Sequence, residues 1–241
     1  MNVLLKLEMI FKDLPAIINL LSHFLMNQSI CTVVINYRTP ELVKTAVESF
    51  RKFYPAADLL IIDNGSKDSS AEVVEELKNK SPQHTEVIFL NENIFHGPAM
   101  HLALEKTVQE NMFFLDSDTE TYKGGFLEEM ASILNSSDKV YGTGRFLMIN
   151  KRGFQSSKGI SFPAPAYMMI KKKLYYQFPP FEHHGMPVLR NFSNALQLGC
   201  KFREFPIENY IEHSWRGTAG RFGYGLGLKA KIDYLLNKLG L

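Results

Sequence analysis

The residues with the clearest chemical potential are Asp116 and Asp118, which flank Ser117 and follow the wholly apolar run Met112 to Leu115. In extended backbone, side chains two positions apart project to the same side, so both carboxylates can share one ion. Mg²⁺ and Mn²⁺ suit such oxygen sites and usually complete their shell with substrate phosphate oxygens and water. The spacing therefore predicts a divalent-metal site for a phosphate-bearing ligand, with a solvated acidic turn as the alternative.

A third aspartate, Asp63, ends another apolar run and begins the turn sequence Asp-Asn-Gly-Ser. Its carboxylate can accept a hydrogen bond from a nucleotide base or a ribose hydroxyl, or it can cap its own turn. The chain has no Gly-x-Gly-x-x-Gly sequence after its first strand and no Gly-Lys-Ser/Thr loop, so the usual phosphate cradles are missing. A metal at the aspartate pair can hold the phosphates instead.

The first half of the chain must position these residues, and it alternates short β-branched runs with segments of helical period. The predicted strands are Ile30 to Asn36, Leu59 to Ile62, Glu86 to Leu90 and Met112 to Leu115. The predicted helices are Pro40 to Phe53, with Thr39 as N-cap and an apolar face of Leu42, Ala46 and Phe50, then Ser70 to Lys80, and Pro98 to Glu110. This order predicts an α/β fold with a parallel sheet covered by helices on both faces.

Ligands of such sheets bind beyond the carboxyl ends of the strands, where the loops converge. Asn36 and Tyr37 follow the first predicted strand, Asp63 the second, the segment 91–97 the third and Asp116 the fourth. All of these residues are therefore expected at one edge of the sheet, which favours a single site over separate turns.

The second half is less regular and shows no linker that would divide the chain. Its predicted elements are helices at Gly125 to Leu134 and Pro187 to Leu198, strands at Val140 to Met148 and Ala166 to Ile170, a glycine-rich stretch at 217–227, and a basic last helix containing Lys229, Lys231 and Lys238. We predict one domain over residues 29–241, with a nucleotide-binding half at 29–120 and an acceptor-side half at 121–241. Residues 1–28 are expected to form an amphipathic helix or extension.

The composition restricts the partners and the compartment. With 45% hydrophobic and 22% charged residues and a net charge of +2, the chain has no basic block of the kind that binds nucleic acid. Its two cysteines, Cys31 and Cys200, are predicted to be buried free thiols in a reducing compartment. Charged residues interrupt the apolar N-terminal segment, so it fits neither a membrane span nor a signal peptide. We expect a cytoplasmic protein; a peripheral contact with the inner membrane surface, a start at Met1 or Met26, and the oligomeric state stay open.

Three segments together resemble glycosyltransferase family 2, in matching order and spacing over about Ile30 to Glu120. They are Val33-Val34-Ile35-Asn36-Tyr37, Ile61-Ile62-Asp63-Asn64-Gly65-Ser66-Lys67-Asp68 and Phe114-Leu115-Asp116-Ser117-Asp118. The resemblance implies a GT-A fold, which is Rossmann-like with a mostly parallel sheet, a nucleotide-diphosphate sugar donor, Mn²⁺ or Mg²⁺, and inversion at the sugar carbon.

The resemblance also implies roles for single residues. Asp63 would meet the base, Asp116 would lie near the ribose or the metal, and Asp118 would bind the metal, while Asn36 and Tyr37 belong to the same donor site. Family members often place a late histidine as a further metal or diphosphate contact. His213 resembles it, and Arg216 could then neutralise the diphosphate; a structural histidine and a surface arginine are the alternatives.

The expected catalytic base is where the sequence departs from the family pattern. The family usually shows an acidic pair at the start of the acceptor-side helix, whereas this chain has Phe181-Glu182-His183-His184-Gly185. Glu182 or His184 could remove the acceptor proton, since either side chain can act as a general base, although a structural cap is the alternative. His96 and His101 replace the family's glycine-rich turn and asparagine, and at most one of them is expected to be functional because they are five residues apart.

The sequence therefore predicts an inverting, metal-dependent glycosyltransferase that moves a sugar from a nucleotide-diphosphate donor to a hydroxyl acceptor. Two alternatives stay open. One is a haloacid-dehalogenase-like phosphatase, because an apolar strand followed by Asp-Ser-Asp-Thr also resembles the nucleophile motif of that class. The other is a relative that binds a nucleotide-sugar without catalysis. The sequence does not name the sugar, the nucleotide or the acceptor.

Overall fold

The computed structural model describes residues 29–183 and 185–214. Within these residues the strands are β1 (Ile30–Asn36), β2 (Asp58–Asp63), β3 (Thr85–Phe89), β4 (Asn111–Asp116), β5 (Thr119–Thr121), β6 (Val140–Ile149), β7 (Ile160–Lys171), β8 (Lys201–Glu204) and β9 (Ile211–His213). The helices are α1 (Pro40–Phe53), α2 (Ser70–Lys80), α3 (His96–Lys106), α4 (Phe126–Asn135), α5 (Lys172–Tyr175) and α6 (Leu189–Gln197). The predicted segment 1–28, the glycine-rich stretch and the basic last helix lie outside the described residues.

Seven of these strands form one sheet in the order β3-β2-β1-β4-β7-β6-β8. The first four strands are parallel, β7 is antiparallel to both β4 and β6, and β8 is parallel to β6. The predicted mostly parallel sheet is confirmed. Because only residues 150–159 join β6 to β7, there is no room for a helical crossover, and these two strands pair as antiparallel neighbours.

Helices cover both faces of the sheet, as predicted. On one face α1, α2 and α4 contribute Phe50, Val74 and Phe126 to an apolar cluster. On the other face α3 and α6 contribute Met100 and Phe192 to a second cluster. The central strands are buried on both sides as a result, which explains their unbroken apolar sequences.

The predicted apolar face of α1 needs one correction. Ala46 and Phe50 are buried as expected, but Leu42 is only half-buried, and Val43 and Val47 fill the core instead. Val43, Val47 and Phe50 lie three to four residues apart and so form one stripe along the helix. Leu42 lies beside that stripe.

Strand β7 is longer than the predicted Ala166 to Ile170, although its first half contains Pro163 and Pro165. Strand β4 pairs only with the part of β7 from Tyr167 onward. Before Tyr167, β7 has a strand neighbour on the β6 side alone, so proline can occupy this stretch without removing a hydrogen bond to β4. The prolines hid this half of the strand from a sequence-based prediction.

Both cysteines are free, as predicted, but only Cys31 is fully buried, and Cys200 is half-buried. Burial is the main cause that raises the pKa of the Cys31 thiol to about 12. In the part of the chain that the structure describes, no helix has the length and apolar character needed to cross a membrane.

Candidate functional site

The aspartate pair lies where β4 ends and the chain turns into β5. The Thr119 hydroxyl donates to the Asp116 carbonyl oxygen at 2.7 Å, which stabilises the turn. Strand β5 then pairs with β9, placing Thr119 opposite His213. The backbone N–H of Ser214 donates to the Asp118 carbonyl oxygen at 2.9 Å. This two-stranded ribbon brings a histidine from far along the chain to the two aspartates.

The side chains of Asp116, Asp118 and His213 form a compact cluster. His213 Nε2 lies 3.2 Å from Asp118 Oδ1 and 3.5 Å from Asp116 Oδ2. The side chains of His213 and Asp118 are only 8% and 7% exposed, while that of Asp116 is 30% exposed. One potential ligand atom from each residue falls within 4.8 Å of the others. The cluster therefore has two protected ligands and one that faces the solvent.

These separations suit a divalent ion. Ligands at about 2.1 Å and at right angles around an ion lie about 3 Å apart, which is close to the two distances from His213. Carboxylate oxygens and an imidazole nitrogen are ligands that Mn²⁺ accepts. The residues present thus fit the ion that the sequence predicts.

The three side chains also perturb each other's protonation. Burial opposes the charged form of His213, but its hydrogen bond to Asp116 and the charges of Asp116 and Asp118 outweigh burial and the repulsion from Arg145, so its pKa is raised. Burial likewise opposes ionisation of Asp116, but the hydrogen bond from His213 and the charges of His96 and His213 lower its pKa. In the absence of a metal, the geometry favours a protonated histidine between two carboxylates.

A buried polar network connects this cluster to the loops after β1 and β2. Asn36 Nδ2 donates to Asp63 Oδ1 at 3.0 Å, and its Oδ1 accepts from the Thr39 hydroxyl at 2.8 Å. The Thr39 hydroxyl also lies 3.4 Å from the hydroxyl of Ser117. The hydroxyl and the backbone N–H of Ser66 both donate to the Asp63 carboxylate. Asn36 and Asp63 are therefore brought together with the aspartate turn, as the sequence predicted.

The role of Thr39 differs from the sequence-based expectation. The residue precedes α1, but its side chain makes no capping hydrogen bond to the helix. Its hydroxyl is directed to Asn36 instead. The Asp63 carboxylate stabilises its own turn and lies at the end of β2.

The loops after β2 and β3 are joined closely. Asn64 Nδ2 donates to Asn93 Oδ1 at 3.0 Å, and Asn64 Oδ1 accepts from the backbone of Ile94. Gly65 has a φ of 73°, and a Cβ there would collide with the backbone of Glu92. Tyr37, half-buried at the end of β1, lies under the guanidinium of Arg38.

Of the two histidines around the start of α3, His96 is the one at the site. Its Nε2 lies 3.8 Å from Asp116 Oδ1. His101 Nδ1 instead lies 2.7 Å from the hydroxyl of Tyr175, on the face of the helix that packs against α5. The sequence predicted that at most one of the two histidines is functional but not which one. His96 begins the helix at the edge of the sheet, whereas His101 lies inside the helix.

The segment expected to supply the base lies beside α3. The backbone carbonyl of Glu182 packs so closely against Gly97 that a Cβ at position 97 would collide with it. The Glu182 carboxylate does not join the aspartate cluster; it forms an ion pair with Arg190 at 2.5 Å. The ring of His183 stacks on that of Phe95, with centroids 3.4 Å apart. His184 and Arg216 lie outside the described residues.

Comparison with known families gives the deciding observation. Residues 29–196 match the model of glycosyl transferase family 2, over about two thirds of the chain. The chain belongs to glycosyltransferase family 2. The match includes the strand–helix series before Asp116, so the aspartate turn is part of this family's domain, and the phosphatase alternative loses its basis.

Curated relatives match over shorter segments. An uncharacterized glycosyltransferase from Nostoc sp. is 26% identical over 112 residues, which is 46% of this chain and 34% of the relative. An undecaprenyl-phosphate 4-deoxy-4-formamido-L-arabinose transferase from Proteus mirabilis is 27% identical over 81 residues, or 34% of this chain and 25% of the relative. This family member thus spans a quarter to a third of these relatives.

Several solved structures have a similar fold. A Pyrobaculum calidifontis mannosyltransferase in complex with GDP-Man and Mn²⁺ has a TM-score of 0.60 at 15% identity, over 74% of this chain and 55% of that one. S. aureus TarS with UDP-GlcNAc has a TM-score of 0.57 at 18% identity, over 76% and 57%. A Mycobacterium tuberculosis glucosyl-3-phosphoglycerate synthase with Mn²⁺ and UDP has a TM-score of 0.56 at 14% identity, over 89% and 81%. The predicted GT-A fold is confirmed.

Proposed function

We propose that this family 2 member transfers a sugar, with inversion, from a nucleotide-diphosphate donor to an acceptor hydroxyl, and that the transfer depends on a divalent metal. The observation that carries the proposal is the cluster of Asp116, Asp118 and His213 at the end of β4, next to the buried network around Asp63. A nucleotide diphosphate could place its diphosphate at this metal site and its nucleoside at the loop that contains Asp63.

The donor is expected over the carboxyl ends of β1 and β2. Asn36 and Thr39 hold Asp63 and Ser117 in a fixed arrangement, so the two loops form one preorganised edge. The Asp63 carboxylate retains acceptor capacity for a base N–H or a ribose hydroxyl, since a carboxylate has about four lone-pair positions. Tyr37 borders the same edge.

Asp116, Asp118 and His213 would hold Mn²⁺ or Mg²⁺, and the ion would neutralise the negative charge that grows on the departing diphosphate. The positions of these three side chains determine where the ion, and therefore the diphosphate, would bind. Asp118 and His213 are protected from solvent, whereas Asp116 faces outward, so a ligand approaches the cluster from the Asp116 side. His96 lies on that side. We propose Arg216 as a further contact of the diphosphate.

For the acceptor proton we propose Glu182 or His184 as general base. The Glu182 carboxylate is only partly occupied by Arg190, which contacts Oε1. The close packing of the Glu182 backbone on Gly97 holds this segment next to the helix that begins at His96. A base here would approach the reaction from the α3 side of the metal cluster.

The neighbours suggest donors to test but do not select one. The similar structures contain GDP-Man, UDP-GlcNAc or UDP. We propose a nucleotide-sugar of one of these types as donor, and a cytoplasmic location with a peripheral membrane contact as the working environment. The transferase from Proteus mirabilis carries an undecaprenyl-phosphate in its name, which keeps a lipid-linked substrate among the options.

A thermal-shift screen of UDP-sugars and GDP-sugars, with and without MnCl₂, tests the proposal. A ligand that binds only the folded state raises the melting temperature, so one donor should stabilise the protein and should do so only with Mn²⁺. In Asp118→Asn, the donor should no longer raise the melting temperature when Mn²⁺ is present. Glu120→Gln is the matched control, because it removes an exposed carboxylate two residues further along.

Stabilisation by a nucleotide-sugar that is equally strong in EDTA would contradict the metal site. Binding of a donor without any release of nucleotide, with or without acceptors, would mark the non-catalytic alternative. If both Glu120→Gln and Asp118→Asn lost the Mn²⁺-dependent rise in melting temperature, the rise would depend on overall charge and not on the cluster.

A further inference from the structure

A cavity of about 410 Å³ adjoins the metal cluster on the side away from the nucleotide loops. His213 belongs to both, so a molecule in the cavity would lie within one side chain of the proposed ion. In the sheet, β1 and β2 lie on one side of β4, and β7 and β6 lie on the other. The cavity wall includes Tyr167 of β7 and Arg145 of β6, so the cavity lies on the side of β4 away from the strands proposed to bind the nucleotide.

An exposed aromatic ring is fixed at this cavity. Tyr122 is 52% exposed. Its hydroxyl nevertheless donates to the carbonyl oxygen of Glu208, and its backbone N–H donates to that of Tyr210 at 3.0 Å. The ring is thus held at both ends while a large part of its surface stays open to the solvent. Such a ring offers contact area at a small cost in conformational entropy.

Polar groups of both kinds surround the ring. Arg145 donates to the hydroxyl of the buried Tyr167 at 3.2 Å and supplies further N–H donors. Glu208 and Glu212 also line the cavity. The hydrogen bond to Tyr167 and the negative charge of Glu208 raise the pKa of Arg145. A wall with donors, acceptors and an aromatic surface matches a molecule that carries several hydroxyl groups on an apolar ring skeleton.

The charges of the wall argue against an anionic ligand. The lining contains two glutamates, Glu208 and Glu212, and one arginine, Arg145, so it carries more negative than positive groups. A phosphate or carboxylate entering the cavity would meet this negative field, whereas the hydroxyls of a neutral sugar would satisfy the carboxylates as hydrogen-bond donors. The volume lies at the lower end of the range for small-molecule sites and suits one or two sugar rings.

We propose that this cavity binds the acceptor and that the acceptor is a neutral carbohydrate, with the Tyr122 ring as its platform and Arg145, Glu208 and Glu212 as its hydrogen-bonding groups. This inference rests on the proposed function, because it names the acceptor class for that site. It assigns specificity to residues of the second half of the chain that are remote from the aspartate motif in sequence.

Saturation-transfer NMR with glucose, galactose, mannose, N-acetylglucosamine, maltose and lactose tests the cavity without a donor. At least one saccharide should give signals that disappear in Tyr122→Ala and in Arg145→Gln. Tyr176→Ala is the matched control, since Tyr176 is 51% exposed and its hydroxyl donates to a backbone carbonyl, that of Leu104, at 2.9 Å. The control should retain the signals. Circular dichroism of each variant shows whether it is folded.

Turnover separates this inference from the proposed function. With a working donor, the saccharide that binds should stimulate nucleotide release, and Tyr122→Ala should raise its KM by about tenfold or more without changing the KM of the donor. Slow hydrolysis of the donor with no saccharide bound would overturn the inference and leave the proposed function standing. Saccharide binding without use of any donor would overturn the proposed function, and with it the role of the bound saccharide as acceptor. Displacement of the saccharide by inorganic phosphate alone, or binding of phosphate only, would also overturn the inference.

Discussion

At the residue scale, two thirds of the metal cluster could be predicted from local spacing. Asp116 and Asp118 are an i, i+2 pair after a buried strand, and both side chains reach the same cluster. His213 lies about a hundred residues downstream, and only the resemblance to the family pointed to it. The pairing of Thr119 with His213 explains why no spacing rule could find it, because the contact depends on a ribbon formed between distant segments.

The raised pKa of His213 leads to a pH dependence that can be measured. In the metal-free protein, protonated His213 interacts with Asp116 and Asp118 against the opposing effect of Arg145. A group whose pKa is raised on folding contributes stability that is complete below its unfolded pKa of about 6.5 and is lost as the pH rises through the folded value. In EDTA, His213→Gln should therefore reduce the free energy of unfolding more at pH 6 than at pH 9. An equal loss at both values, by urea denaturation, would contradict the pairing.

Thr39 shows how a correct local pattern can hide a different function. Its position before Pro40 is typical of an N-cap, and α1 does begin at Pro40. The hydroxyl, however, contacts Asn36 and Ser117, which are buried and belong to the site. Sequence alone could not show this, because Asp63 holds the Asn36 side chain in place and Ser117 comes near only when β1 and β4 are paired.

Thr39→Val tests this network. The substitution keeps the shape of the side chain but leaves the Asn36 oxygen without its donor, and a buried unsatisfied polar group costs about 1–3 kcal/mol. We expect a loss of stability in this range by urea denaturation, together with weaker donor binding. Thr45→Val is the control, because Thr45 is exposed and donates only to the Glu41 carbonyl of its own helix. An equal loss in the free energy of unfolding of both variants would show that the buried network does not contribute more to stability than an exposed hydrogen bond.

At the scale of elements, the site depends on contacts between loops that follow different strands. The loop after β2 is tied to the loop after β3 through Asn64, and the first turn of α3 is packed against the Glu182 segment through Gly97. The sequence predicted that such loops would converge, since the carboxyl ends of parallel strands meet at one edge. It could not predict how the segment around Glu182 joins them, because that segment follows an antiparallel strand.

Gly97→Ala tests this contact. An added Cβ would collide with the Glu182 carbonyl and approach Pro187, so the segment with the proposed base must move away from α3. We expect a loss of about 1–3 kcal/mol in the free energy of unfolding, as for other overpacked positions, and a lower kcat. Gly199→Ala is the control, since Gly199 has a φ of 82° with no atom near its missing Cβ. It should lose stability through backbone strain and keep its kcat; unchanged turnover in Gly97→Ala would contradict the role of the contact.

At the scale of the whole molecule, the part with a regular alternation of strands and helices was the part that could be predicted from the sequence. The half up to Asp116 repeats strand and helix, and each crossover returns to the same edge. Its strands and first two helices follow the predicted ones closely, whereas the third helix is His96–Lys106 and not the predicted Pro98 to Glu110. The later half adds β7, β6 and β8 with mixed directions, and prolines conceal part of β7. The same half holds the cavity beside His213, so the least predictable part of the fold is also where the acceptor is proposed to bind.

We propose that the cluster at the end of β4 makes transfer from a nucleotide-sugar possible. Asp118→Ala removes one protected ligand at a turn that Thr119 and Ser214 hold by hydrogen bonds to main-chain oxygens of Asp116 and Asp118, so the variant should stay folded. The most direct measurement is the Mn²⁺-dependent release of nucleotide diphosphate from the donor identified by thermal shift, in wild type, Asp118→Ala and Glu120→Gln. The proposed metal site predicts at least a hundredfold loss for Asp118→Ala, about 3 kcal/mol in the barrier, and a near-normal rate for Glu120→Gln. A folded Asp118→Ala variant that turns over at near the wild-type rate would contradict it.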